Sequence, residues 1–272
     1  MVENFHVGEF ILDPAVSPLA FVIASITFSE PIDANANELK ATKECFSKAG
    51  FSIESRRTQR NVQLGVTTPV VDQYVVYQYL DVDRKRGASI SKKSLSYFAS
   101  DHQGIDDLSS SVGNVFGCFE IGFGQRSIES VGLRYVNVFQ LESVPSKLVS
   151  NSLTGLAHRG LTTPDQHFHH NYEFWCETDG GRIHTRYAVT HGDRRPEQLG
   201  VANSVFPERT LGGYDDNYCH LDIFENTRKI ERIIRLPDFD EFLRNMNRRI
   251  EQAFLNAVTD KAMTSWGARP RD

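Results

Sequence analysis

The sequence predicts an α+β protein built from two similar units, each with an antiparallel sheet, and closed by a long C-terminal helix. Runs of strand-type residues follow one another with short turns between them. Each half of the chain has the order strand, helix, three strands, helix, and an apolar stripe at helical spacing begins at Asp238. We therefore expect a pseudo-repeat of two units, residues 1–125 and 126–272, in a helix-grip or TATA-binding-protein-like arrangement.

The first unit opens with a strand and a helix that the local pattern marks clearly. Phe10–Leu12 is suited to a short edge strand, and the nearly continuous apolar run Leu19–Phe28 predicts a buried strand. Asn35 and Glu38 have the spacing of a capping box, and apolar residues at helical spacing follow until Gly50, a natural stop.

Three strand-like runs and a second helix complete this unit. An apolar stripe from Ile105 to Phe119 predicts the helix, although Gly113 and Gly117 weaken it by roughly 1 kcal/mol each relative to alanine. The three predicted strands cover residues 51–64, 74–82 and 88–98.

The second unit begins with residues 128–141, a strand that is apolar on both faces and is therefore expected at the centre of a sheet. Pro145 starts a short predicted helix through residues 148–156. Residues 166–177 and 182–191 form the clearest hairpin, and residues 218–224 form a third strand. If Asp179 and Gly180 are the hairpin loop, opposed residues have numbers that sum to 359. This register puts eight residues on its outer face: His167, His169, Glu173, Trp175, Glu177, Arg182, His184 and Arg186.

The central run Gly-Leu-Arg-Tyr-Val-Asn, residues 132–137, resembles the hallmark of an uncharacterised, sporadically distributed bacterial family of about this size. Other shared landmarks are Pro18 and Leu19 at the first strand, Leu-Asp-Ile at residues 221–223, and the closing amphipathic helix. The acidic residue usual after the prolines is missing here. Some members lie near phage-defence genes, so the resemblance implies this overall shape and a component of a bacterial antiviral defence system.

Composition limits the classes of partner. The net charge of −5 argues against a protein that coats nucleic acid or an anionic membrane. Because no apolar run has membrane-spanning length, we expect a cytoplasmic protein with no membrane insertion. The four cysteines are widely scattered without a Cys-x-x-Cys pair, so we expect reduced thiols and no disulfide framework.

Arg134 and Asn137 are the first candidates for ligand or partner binding. An arginine held by a central strand can present its planar guanidinium to a carboxylate or phosphate. It can equally pair with an internal carboxylate such as Asp222 or Glu173, and both interpretations stay open. Residues 192–216 form a long predicted loop, and long loops are often functional. This loop adds four candidates: Arg194, Arg195, Arg209 and Tyr214.

Basic residues near strand ends, next to tyrosines, favour an alternative in which the protein binds nucleic acid. The ordinary interpretation is a mixed-charge surface, because acidic residues flank the same strands. The candidates for this alternative are Arg56, Arg57, Arg60, Arg84, Lys85 and Arg86.

No motif identifies a reaction. The chain contains no Gly-x-Ser-x-Gly elbow, and its glycine pairs lack the context of a phosphate loop. His167, His169 and His184 are spread too far along the hairpin to share one metal ion without further ligands. We predict no catalytic residues, no metal and no cofactor. The resulting hypothesis is a non-enzymatic sensor or adaptor that recognises a ligand or a protein partner, or associates with itself.

Overall fold

The computed structural model describes residues 5–7, 10–12, 17–32, 35–63, 70–140, 149, 170–191, 217–230, 232–233 and 236–270. They form an α+β fold with one large sheet, a small three-stranded sheet and four helices. The strands are β1 Phe5–Val7, β2 Phe10–Leu12, β3 Leu19–Phe28, β4 Ile53–Gln63, β5 Val70–Leu80, β6 Arg86–Ile90, β7 Ser94–Ala99, β8 Ser127–Gln140, β9 His170–Glu177, β10 Gly181–His191, β11 Asn217–Thr227, β12 Arg232–Ile233 and β13 Arg269–Pro270. The helices are α1 Ala36–Lys48, α2 Ile105–Phe123, α3 Leu236–Ala257 and α4 Asp260–Ser265.

The large sheet has the strand order β4-β5-β6-β7-β3-β8-β11-β10-β9, with β12 paired to β8. Every described pairing in it is antiparallel. β3 and β8 lie side by side at its centre, so residues from both predicted units belong to one continuous sheet. Most residues of both strands are buried, which explains the apolar runs in their sequences.

The helices pack against one face of the large sheet, with α2 between α1 and α3. Aromatic rings fill this layer: Phe28 stacks on Phe119 with ring centroids 4.8 Å apart, and Phe116 stacks on Phe239 at 5.8 Å. α1 begins at the expected capping box, because the Asn35 side chain accepts from the Glu38 backbone N–H and Glu38 accepts from that of Asn35. None of the four described helices lies on the opposite face of the sheet, which we call the helix-free face.

A disulfide joins Cys45 of α1 to Cys118 of α2. The expectation that all four thiols are reduced was therefore wrong, and only Cys176 and Cys219 are free. This pair could not be predicted, because the two cysteines are 73 positions apart and only helix packing brings them together. The same packing places α1 close to Gly122, where an added Cβ would lie 1.9 Å from Thr42 Oγ1.

Two strand predictions also need correction. The single strand expected over residues 88–98 is the hairpin of β6 and β7, because the chain turns where the Ser91 N–H donates to the Ser94 carbonyl. The predicted edge strand Phe10–Leu12 is instead the central strand of the small sheet, between β1 and β13. Of the short helix predicted through residues 148–156, only Val149 lies within the described residues, where it bridges Val258.

The hairpin of β9 and β10 has the predicted register. Arg182 faces Glu177 and His184 faces Trp175, so the numbers of opposed residues sum to 359 as expected. The position of β11 could not be predicted from local pattern. It lies between β8 and β10, and thereby places Asp222 and Phe224 between the central strand and the hairpin.

Candidate functional site

A cleft of about 390 Å³ opens on the helix-free face of the large sheet. Its floor contains residues of β3, β6, β7 and β8 from the first part of the sheet, and its charged wall comes from β8 to β11. This volume lies within the range of about 300 to 1,000 Å³ that is usual for small-ligand sites. The cleft therefore has the size of a binding site and lies on rigid strands rather than loops.

Arg134 and Asp222 form the central ion pair of the cleft. Arg134 Nε donates to Asp222 Oδ1 at 2.8 Å, and Arg134 Nη2 donates to Oδ2 at 2.5 Å. The residue directly opposite Arg134 is Phe224, so Arg134 reaches diagonally to the carboxylate two positions away on β11. The side chain of Asp222 is 3% exposed and that of Arg134 is 18% exposed, so the pair is largely removed from water. This two-point geometry fixes the orientation of the guanidinium.

The charges continue across the next two strands. Arg186 of β10 lies directly opposite both Asp222 of β11 and Glu173 of β9. Arg186 Nε is 3.9 Å from Glu173 Oε1, and His184 Nε2 is 3.5 Å from Glu173 Oε2. Opposed side chains of opposite sign stabilise neighbouring strands. The result is a ladder of alternating charge across four strands, formed by Arg134, Asp222, Arg186 and Glu173.

Aromatic rings border the cleft on the side of the hairpin. Trp175, which is 71% exposed, stacks on His184 with centroids 5.8 Å apart, and His184 meets the edge of Phe224 at 4.6 Å. Arg182 lies over the Trp175 ring at 5.7 Å. A second cleft of about 420 Å³ begins here and shares His184, Phe224 and Asn226 with the first. An exposed indole at the rim offers a flat apolar surface to a ligand.

Asn137 lies on the other face of β8, among the helices. Its Nδ2 donates to the Leu221 carbonyl at 3.0 Å, and Asn137 as a whole is 3% exposed. On the same face, the Tyr135 hydroxyl donates to Asn247 Oδ1 of α3 at 2.5 Å. Burial and the nearby charge of Glu251 raise the pKa of Tyr135 well above its ordinary value. Asn137 therefore does not share the cleft with Arg134, and its contact joins β8 to β11.

The remaining candidates for ligand binding lie outside the described residues, as does the whole predicted loop over residues 192–216. These four are Arg194, Arg195, Arg209 and Tyr214.

The six candidates for the nucleic-acid alternative lie on β4 and around the turn from β5 to β6. Arg56 lies over the Tyr77 ring at 5.7 Å. Arg86 donates through Nε to Asp101 at 2.7 Å and through Nη1 to Asp107 at 3.0 Å, so it joins the start of β6 to α2. Arg84 adopts a left-handed turn conformation with φ of 54°. The others are Arg57 on β4, Arg60, of which only the backbone is described, and Lys85 in the turn.

The sequence placed Glu173, Trp175, His184 and Arg186 on one face of the hairpin, and named Asp222 and Glu173 as carboxylates for Arg134. Phe224 could not be predicted as a cleft residue, because it reaches the cleft only through the position of β11 in the strand order. Asp222 itself indicated in the sequence that β11 contributes to a polar site, since a carboxylate inside an apolar strand needs a buried partner. Within the described ranges, no three His, Cys, Asp or Glu side chains are grouped so that they could hold a metal ion.

None of the helices within the described residues is long and apolar enough to span a membrane. No protein-family model and no curated protein compared with this chain matches it. The geometry of the cleft on the helix-free face therefore carries the functional conclusion.

Proposed function

We propose that this protein is a non-enzymatic cytoplasmic binding protein, a sensor or adaptor whose ligand or protein partner enters the cleft on the helix-free face. The observation that supports it best is the Arg134–Asp222 pair, which is fixed by two hydrogen bonds at the wall of an open cleft of about 390 Å³. Groups held in place before binding lose little freedom on binding. The cleft carboxylates are matched by arginines, which suits recognition better than proton transfer.

We further propose that the two halves of the chain are pseudo-repeated units, residues 1–125 and 126–272, and that the cleft lies at their junction. β3 and β8 would be the first strands of the two units, and they pair at the centre of the sheet. The floor residues Ser25 and Ser96 come from the first unit, and Arg134 and Asp222 come from the second. A ligand in the cleft would thus contact both units.

The biological setting follows from the resemblance of residues 132–137 to the bacterial family described above. We propose that the protein acts within an antiviral defence system, where a sensor binds a ligand or partner and passes the signal on. In this proposal the cleft is the input site of that sensor.

The experiment is native mass spectrometry of the protein purified from its own host, combined with absorbance at 260 and 280 nm. A variant in which both partners of the ion pair are replaced, Arg134→Met with Asp222→Leu, changes the cleft without leaving an unpaired buried charge. The matched control is Glu54→Gln, which breaks the exposed pair between β4 of the same sheet and Lys43 of α1.

We expect the wild-type protein and the Glu54→Gln control to carry the same bound species, and the double variant to lose it. A species that stays bound to the double variant at wild-type occupancy would place the site elsewhere. High absorbance at 260 nm, with binding that weakens steeply as salt rises, would favour the nucleic-acid alternative instead.

A further inference from the structure

A single row of nine opposed residues, eight of them with hydrogen-bonding side chains, crosses the helix-free face from one edge of the large sheet to the other. In an antiparallel sheet, directly opposed residues project from the same face. Nine residues, one from each strand of the main path, are opposed in sequence: Ser55, Gln78, Ser89, Ser96, Ser25, Gly132, Asn226, Arg182 and Glu177. We call this set the polar row. Five of its members, from Ser89 to Asn226, lie in the cleft.

The middle of the polar row is shaped by Gly132. A Cβ at this position would lie 2.5 Å from Asn226 Oδ1 and 2.7 Å from Ser25 Oγ. The two polar side chains therefore lean toward each other across the space that the glycine leaves. A hydroxyl and a carboxamide together provide both donors and acceptors at one point.

The cleft offers these neutral groups without an excess of charge. Its arginines and carboxylates face one another in the Arg134–Asp222 pair and in the Arg186–Glu173 pair. Glu225, at the border of the cleft, is bound by Arg249 of α3 at 2.8 Å. An anionic or cationic ligand would have to compete with these partners, because a charged ligand gains little where charges are already matched.

The ligand that fits this chemistry is uncharged and carries many hydroxyl groups. Each sugar hydroxyl both donates and accepts, as serine hydroxyls do, so the two sets can match along a row. Phe224 lines the cleft, and the exposed Trp175 lines the adjoining cleft that shares Phe224. Both rings suit the apolar C–H face of a sugar ring. The volume of about 390 Å³ holds a ligand of the size of one or two sugar rings.

We propose that the polar row is a binding track for a neutral mono- or oligosaccharide, seated in the cleft between Ser96 and Asn226. This inference rests on the proposed function and names the ligand class of the same site. An extended peptide is the competing occupant. Peptides that extend a sheet run along an edge strand and bond through backbone groups, whereas the polar row runs across the strands and offers side chains.

The test is a glycan array probed with the full-length protein, covering neutral mono-, di- and oligosaccharides beside sulfated, phosphorylated and uronic-acid glycans. The affinity for the best neutral glycan is then measured by calorimetry. The cleft variant is Ser25→Ala with Ser96→Ala, which removes two hydroxyls from the floor. The control is Ser110→Ala on the exposed side of α2.

We expect neutral glycans to bind, with an affinity that changes little with salt. The double serine variant should bind at least about tenfold more weakly, as expected from two lost hydrogen bonds, and Ser110→Ala should bind like the wild type. Circular dichroism and the melting temperature verify that the variants are folded.

Three results would overturn the saccharide inference: an array without any neutral glycan bound, a preference for anionic glycans, or equal affinity of the cleft variant and the control. The saccharide inference can fail while the proposed function stands. If the array is blank but the host-purified protein carries a peptide or another species that the Arg134→Met, Asp222→Leu variant loses, the cleft is a binding site for a different ligand class.

Discussion

Replacing Asp222 by asparagine should destabilise the protein strongly, because this buried carboxylate is the ion-pair partner of the Arg134 guanidinium. Arg134 binds it through two nitrogens, and Arg186 lies directly opposite on β10. Breaking a buried ion pair from one side costs about 3 to 5 kcal/mol, and the 18% exposure of Arg134 favours the lower value, about 3 kcal/mol. For a chain of this length that corresponds to a fall in Tm of roughly 6 to 12 °C. Arg134→Met should cost a similar amount, about 3 kcal/mol, because it removes both hydrogen bonds from a carboxylate that is only 3% exposed.

Urea unfolding followed by circular dichroism measures these free energies. The exposed Glu177–Arg182 pair is the control, and Glu177→Gln should cost less than about 1 kcal/mol. Replacing both partners, by Arg134→Met with Asp222→Leu, should cost clearly less than the sum of the single variants. The reasoning is refuted if Asp222→Asn unfolds within about 1 kcal/mol of the wild type, or if the two single costs add in the double variant.

Three further predictions test the helix layer. Reducing the disulfide between Cys45 and Cys118, which are 73 positions apart, should lower the free energy of unfolding by about 4 kcal/mol. Four reactive thiols in the unfolded, unreduced protein would show that the disulfide does not form. In α2, Gly122→Ala should cost about 1 to 3 kcal/mol, because its added Cβ would meet α1. Gly113→Ala, which has open space around it, should instead stabilise the protein by up to about 1 kcal/mol. Equal effects of the two variants in thermal melts would contradict the packing of α2 on α1. Burial lowers the pKa of His102 from 6.5 to about 4, so the unfolded chain binds the proton first as the pH falls. Stability should therefore drop by roughly 2 to 3 kcal/mol between pH 6.5 and 4, and a His102→Gln variant that shows the same pH profile would disprove this assignment.

Local patterns predicted the parts of this fold that depend on neighbouring residues. The capping box at Asn35 and Glu38 formed as expected, since its geometry needs only four consecutive residues. The hairpin register followed from a short loop in the same way, and brought Trp175 opposite His184. Alternation of side chains then placed the outer residues of β9 and β10 on one face.

Contacts between distant segments could not be predicted from those patterns. Cys45 and Cys118 come together only because α1 packs on α2, and the sequence gives no such pairing. The cleft depends on β11 inserting between β8 and β10, which puts Asp222 next to both Arg134 and Arg186. The sequence could therefore name the charged residues of the cleft without showing that four strands bring them together. The polar row is a further case, because it appears only when the order of nine strands is known.

The central claim is that the cleft on the helix-free face is the binding site, and Gly132→Ala tests it most directly. The nearest atoms to the added Cβ are the ends of two polar side chains, Ser25 Oγ and Asn226 Oδ1. These can move aside, so the cost should stay at the low end of overpacking, about 1 kcal/mol. The same movement rearranges the floor of the cleft. The measurement is the occupancy of the bound species in native mass spectra of wild-type and Gly132→Ala protein purified from the host. We predict that the wild type carries the species and that the folded variant loses most of it, whereas equal occupancy in the two proteins would contradict the claim.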